Sequence, residues 1–110
     1  MINKETFKLS IIIPCFNEKK TIEKILARVD QSLKNYNILN YEILIVDDSS
    51  NDGTIEILKN LTKNDKIKVY FHEVNLGKGA AIHTGLKYAT GDITMIQDAD
   101  LEYDPLDYEK

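Results

Sequence analysis

Two stretches of the sequence, Ser10-Ile11-Ile12-Ile13 and Ile43-Leu44-Ile45-Val46, are apolar almost without interruption, and this restricts the fold more than any other feature. A strand with one wet face alternates apolar and polar residues, whereas a strand covered on both faces reads as a continuous apolar run. Such runs are the interior strands of a parallel sheet with helices on each side. They are far too short to cross a bilayer, which takes ~20 apolar residues. Two further β-rich segments follow, and the spacing predicts four strands, at Lys8–Pro14, Tyr41–Val46, Lys66–His72 and Ile93–Gln97.

Helical patterns separate the strands. Between about Lys19 and Asn35, Ile22, Ile25, Leu26, Val29 and Leu33 fall on one stripe. From about Thr54 to Thr62, Ile55, Leu58 and Leu61 recur in threes, with Asp52 or Thr54 placed to cap the start. From about Gly79 to Thr90, Ala81, Ile82, Gly85, Leu86 and Ala89 share a face whose small residues predict close packing on strands, and Gly91 stands where a C-terminal stop belongs. The rhythm is βαβαβαβ: an α/β, doubly wound, mostly parallel sheet. With 110 residues, 43% hydrophobic and 29% charged, the chain has enough for one domain, 1–110, and too little for two.

Composition also narrows the partners. A net charge of −4 leaves no basic footprint for nucleic acid, and it means that a polyanionic ligand would need a cation to bridge it. The single cysteine, Cys15, reads as a small buried apolar side chain. No Cys/His set has zinc spacing, and Met1-Ile2-Asn3-Lys4-Glu5 lacks the apolar core of a signal peptide, so a cytoplasmic protein is expected.

Ligands of doubly wound sheets gather beyond the carboxyl ends of the strands, where the winding reverses. There the sequence turns polar: Pro14-Cys15-Phe16-Asn17-Glu18 after the first strand, Asp47-Asp48-Ser49-Ser50-Asn51-Asp52-Gly53 after the second, Asp98-Ala99-Asp100 after the fourth. If the fourth strand lies beside the first, these loops flank one crevice. Asp98 and Asp100, two apart, project from one face of an extended segment and can share a hard cation, with Glu102 two steps further as a third oxygen ligand. Oxygen donors favour Mg²⁺ or Mn²⁺. The alternative is an acidic turn that binds nothing. Asp47 or Asp48 can cap the next helix, or Asp47 at the strand tip accepts from a ligand such as a base N–H, and Asn17 and Glu18 present the same choice after the first strand. Gly77-Lys78-Gly79, before the third helix, suits a phosphate or ribose, although neither a P-loop nor a dinucleotide fingerprint is present. His72 and His83 read as packing or surface residues.

Four segments, Ser10-Ile-Ile-Ile-Pro-Cys-Phe-Asn-Glu18, Ile45-Val-Asp-Asp-Ser-Ser-Asn-Asp-Gly-Thr54, Asn75-Leu-Gly-Lys-Gly-Ala-Ala81 and Gln97-Asp-Ala-Asp-Leu-Glu102, together resemble the family 2 glycosyltransferases of the GT-A fold. Within that family they look most like the polyprenyl-phosphate branch, the dolichyl-phosphate mannose and glucose synthase-like and undecaprenyl-phosphate glycosyltransferase-like enzymes. The resemblance implies that Pro14, Asn17 and Glu18 line a nucleotide pocket, that Asp47 reads the base, that Lys78 sits near the nucleotide, and that Asp98, Asp100 and Glu102 hold Mg²⁺ or Mn²⁺ on the diphosphate. It implies transfer of sugar from a UDP- or GDP-sugar to an acceptor such as a polyprenyl phosphate. Catalytic domains of the family are longer, so the resemblance covers the nucleotide-sugar-binding part. It leaves the catalytic residues unnamed and implies that they lie beyond Lys110. The chain alone is then expected to bind donor and transfer sugar poorly.

Two other readings compete: a nucleotide-sugar-binding fragment without catalysis, and a receiver-like signalling domain with Asp47-Asp48 as its acidic pair and Asp98 as phosphoacceptor. An exposed fourth strand would also invite pairing of two copies into a homodimer.

Overall fold

A computed structural model describes residues 7–99. The elements alternate as read from the sequence: β1 (Leu9–Cys15), α1 (Ile22–Asn35), β2 (Tyr41–Asp47), α2 (Thr54–Leu61), β3 (Ile67–Phe71), α3 (Lys78–Tyr88) and β4 (Ile93–Ile96). All strands are parallel in one sheet of order β3-β2-β1-β4, with Ile13 beside Ile45 and Ile12 beside Ile96. The chain winds outward through β2 and β3, then returns across β1, so the reversal lies between β1 and β4. A receiver has its reversal elsewhere, in the strand order 2-1-3-4-5, and this topology excludes that reading.

Both faces of the central strands are covered. Leu9, Ile11, Ile13 and Cys15 of β1 and Ile43 and Ile45 of β2 pack in one cluster with Ile22, Ile25, Val29 and Leu33 of α1 and Leu58 of α2. Each aliphatic side chain buried in that way contributes about 1.5–3 kcal/mol. The opposite face of β1 carries Ile12, fully buried, against which α3 packs at Gly85. A Cβ at Gly85 would stand 2.6 Å from Ile12 Cγ2, so only glycine permits this approach. The ring of Tyr88 stacks on Tyr70 with centroids 4.3 Å apart, laying the last turn of α3 against β3.

Four local expectations are corrected. Helix α1 starts at Ile22 rather than Lys19, because the Glu18 carbonyl first accepts the N–H groups of Thr21 (3.1 Å) and Ile22 (2.9 Å) in a tight turn. In α2 the inward face is Thr54 and Leu58, buried, with Ile57 and Leu61 partly buried; Ile55 stands outside the core cluster. In α3, Leu86 is half exposed, since Ala81 and Gly85 set the face that meets the sheet. Gly91 is no left-handed stop: α3 ends through an extended Ala89, and Gly91 is required because a Cβ there would lie 2.6 Å from Ser10 Oγ and 2.7 Å from Ser10 N.

Strand β4 is an edge, with Ile93 and Ile96 half exposed. The homodimer expected from that edge has no support in the structure or the comparisons. No described helix is long and apolar enough to cross a membrane.

Candidate functional site

The carboxyl ends of the strands open into a crevice of about 360 Å³. Pro14, Cys15, Phe16 and Glu18 form one wall, Asp48 and Asn75 the back, Gly77, Lys78 and Ala81 the opposite wall, and Asp98 and Ala99 the flank beyond β4. The predicted adjacency of β1 and β4 therefore holds, and their loops border one crevice. Thr21 Oγ1 fastens them together, donating to the Ala99 carbonyl (2.7 Å) and lying 2.9 Å from Glu18 Oε2.

The two aspartates ending β2 have separate tasks. Asp47 is fully buried, does not line the crevice, and accepts from Ser50 N–H (3.0 Å) and Ser50 Oγ (2.5 Å). Its carboxylate closes the β2–α2 turn, while Asp52 serves α2 by accepting from Thr54 N–H (3.0 Å). Asn17, with a left-handed φ of 52°, is exposed and does not line the crevice: its N–H donates to Ser50 Oγ (2.8 Å) and its Oδ1 accepts from Asn51 N–H (2.8 Å), tying the first loop to the second.

Asp48 faces the crevice, where the sequence offered it only as a helix cap or as half of a receiver's acidic pair. It accepts from the N–H groups of Leu76 and Gly77 (2.8 Å each) and pairs with His72 Nδ1 (2.8 Å). Burial works against its ionisation, but the Leu76 N–H, the His72 ring and the Gly77 N–H outweigh it and hold its carboxyl below the usual range. Since a carboxylate cannot donate, His72 Nδ1 carries the proton, and the other nitrogen meets Thr84 Oγ1 of α3 (2.8 Å). His72 is thus a brace between β3, Asp48 and α3, and Asn75 adds a bond from Nδ2 to the Asp48 carbonyl (3.2 Å). The visible signal was the position of Asp48 at a strand tip; its partners, 24 to 29 residues away, left no local trace. Cys15 is buried as expected; burial, then the nearby Asp47 and Glu18, push its thiol up to about 12, so it remains neutral.

Across the crevice, Lys78 forms an ion pair with Asp98. Among the described residues no three His, Cys, Asp or Glu side chains gather into a metal-holding set. The other expected oxygen ligands, Asp100 and Glu102, lie outside the described residues. So does Lys110, beyond which the resemblance puts the catalytic residues. Asp98 nevertheless suits a cation on direct grounds: a carboxylate oxygen at the crevice already has an ammonium standing against it.

Comparison with known proteins agrees with this fold. The chain is 39% identical over 98 residues to the dolichol-phosphate mannosyltransferase of Pyrococcus furiosus, covering 89% of this chain and 27% of that one. It is 32% identical over 107 residues to the undecaprenyl-phosphate 4-deoxy-4-formamido-L-arabinose transferase of Aeromonas hydrophila, covering 96% and 32%. The chain thus spans about a third or less of these curated relatives. Among solved structures, the mannosyltransferase PcManGT of Pyrobaculum calidifontis, in complex with GDP-Man and Mn²⁺, superposes with a TM-score of 0.72 at 28% identity, over 86% of this chain and 28% of that one. S. aureus TarS 1-349 in complex with UDP gives 0.73 at 29% identity, over 86% and 28%. The sheet is accordingly that of the GT-A glycosyltransferases. Residues 10–110 match Glycosyl transferase family 2, and on that match, which takes in all four strands and every loop of the crevice, the chain belongs to this family of glycosyltransferases.

Proposed function

We propose that the crevice binds the nucleoside diphosphate of a UDP- or GDP-linked sugar with Mg²⁺ or Mn²⁺, and that the enzyme moves the sugar to a polyprenyl phosphate. The observation that carries this reading is the facing of Asp98 and Lys78 across a crevice at the switch point of the sheet. Support comes from the named relatives, whose acceptors are dolichol and undecaprenyl phosphates, and from the GDP-Man, Mn²⁺ and UDP complexes of structural neighbours.

In this reading Pro14, Glu18, Lys78 and Asp98 meet the donor, and Asn17 and Asp47 hold the loops that shape the pocket around its base. Asp98, with Asp100 and Glu102, holds the cation. When bound, the cation supplies Lewis-acid stabilisation of the leaving diphosphate. A phosphomonoester acceptor, with a second pKa near ~6, is already largely dianionic at neutral pH and attacks without a strong general base. We place the reaction in the cytoplasm, at the cytoplasmic face of the membrane for a lipid-linked acceptor.

For the 110-residue chain alone we propose donor binding with little transfer, the groups that position the acceptor lying beyond Lys110. Holding the acceptor oxygen within about 3–3.5 Å of the anomeric carbon supplies ~7–11 kcal/mol of barrier reduction, and the chain spans only 27–32% of its polyprenyl-phosphate relatives. The test incubates the chain with radiolabelled UDP-glucose or GDP-mannose, Mn²⁺ and a polyprenyl phosphate, and extracts the lipid. Bound donor with little label in the lipid fits the proposal; turnover of about 1 per second or faster rejects its last part.

A further inference from the structure

The Lys78–Asp98 pair joins opposite walls of the crevice, and its two ends are not alike. Lys78 is the first residue of α3, and its side chain is 57% exposed; Asp98 lies two residues beyond β4, and its side chain is only 16% exposed. The backbone on either side of the carboxylate is held. Gln97 N–H, beside it, donates to the Ile12 carbonyl (2.8 Å), and Ala99, on its other side, is buried and bonded to Thr21. The ammonium stands at the end of a flexible four-carbon stem and loses little by passing to water. A Cβ at Gly77 or Gly79, on either side of Lys78, would meet nothing within 4 Å. The backbone itself is anchored, since Asp48 accepts from Gly77 N–H (2.8 Å). A lysine on a pinned backbone with open space at its flanks can swap partners without moving the helix.

We propose that Lys78 is an exchangeable internal counterion: it neutralises Asp98 in the empty crevice, yields that carboxylate to the divalent cation, and then turns its charge to the diphosphate. This rests on the metal and nucleotide reading above and adds to it a competition between lysine and metal. Mn²⁺ alone must displace an ammonium and so binds more weakly than Asp98 would otherwise allow. Mn²⁺ and nucleotide together reinforce each other, because the lysine freed by one is used by the other.

The experiment titrates the 110-residue chain with Mn²⁺ alone, following unbound Mn²⁺ by electron paramagnetic resonance, for wild type, Lys78→Met, Lys78→Arg and Asp98→Asn. It then repeats the titration with UDP and with GDP. An ion pair as exposed as this one predicts Mn²⁺ binding about twofold to fivefold tighter in Lys78→Met. Lys78→Arg should remain near wild type, Asp98→Asn should lose the site, and the gain in nucleotide affinity on adding Mn²⁺ should shrink in Lys78→Met. Equal Mn²⁺ affinity in wild type and Lys78→Met, with loss in Asp98→Asn, would overturn the exchange while leaving the metal site standing. No Mn²⁺ bound by wild type or Lys78→Met, even with nucleotide, would overturn both.

Discussion

Gly85 and Gly79 lie on the same helix, and replacing each by alanine should move stability in opposite directions. At Gly85 the new methyl would collide with Ile12 Cγ2, Cδ1 and Cγ1 at 2.6–3.0 Å. Overpacking of this kind costs about 1–3 kcal/mol. At Gly79 it would meet nothing within 4 Å, and exchanging glycine for alanine in a helix gains up to about 1 kcal/mol. Urea unfolding should therefore show a lower midpoint for Gly85→Ala and an unchanged or higher one for Gly79→Ala. Ser32 offers a third case. Its Oγ is buried with no hydrogen-bond partner among the described residues, beside an apolar cavity of about 160 Å³ that Leu9, Ile11, Val29 and Met95 help to line. An unsatisfied buried hydroxyl costs about 1–3 kcal/mol, so Ser32→Ala should hold or raise the midpoint, and a fall of about 1 kcal/mol or more, the net worth of a hydrogen bond, would show that the hydroxyl is paired. Of these three residues only Gly85 was legible beforehand, from its place on a small-residue stripe. The Ile12 contact that makes glycine obligatory needed the sheet order.

At the scale of elements, buried carboxylates hold each end of the sheet together. At the end away from the crevice, Glu42 of β2 accepts from Ser10 Oγ of β1 (2.6 Å), from Thr90 N–H after α3 (2.7 Å) and from Lys68 Nζ of β3 (3.0 Å). Burial opposes its charge, but these bonds prevail and bring its carboxyl from 4.5 down to about 2. The sign follows from that depression. The stabilisation is complete above pH 4.5, where the unfolded carboxyl is ionised, and is lost as pH falls towards 2. Glu42→Gln should cost about 2 kcal/mol at neutral pH, in the range for bonds to a charged group, and should flatten the decline of stability between pH 4.5 and 2. A mutant with the wild-type pH profile would contradict the assignment. At the crevice end, Asp48→Ala should leave the sheet intact yet speed hydrogen exchange at the Leu76 and Gly77 amides, which lose their acceptor. Unchanged exchange there would show that the loop is held by other means. Apolar runs and helical periodicity marked the strands and helices, but neither can show a polar residue within a strand to be a tie: Glu42 lies in the expected second strand, and its partners are 26 to 48 residues away.

For the whole molecule, continuous apolar runs dictated a parallel sheet, and the polar strand tips marked where its crevice would open. The reversal between β1 and β4 then brought Pro14, Glu18, Lys78 and Asp98 to that opening. Asn17 and Asp47 were chosen for the same reason, and their side chains tie loops together because a strand-tip side chain can turn to nearby backbone as readily as to a ligand. Which way it turns is decided by neighbours distant in sequence. We propose that this opening takes a nucleoside diphosphate through a cation held at Asp98. Calorimetry with UDP and GDP tests it most directly, in Mn²⁺ and in EDTA, for wild type and Asp98→Asn. Wild type should bind one of the nucleotides in Mn²⁺ at least about tenfold more tightly than in EDTA, a difference of about 1.4 kcal/mol, and Asp98→Asn should remove the difference. Equal affinity in Mn²⁺ and EDTA, or a Mn²⁺ effect that survives Asp98→Asn, would contradict it.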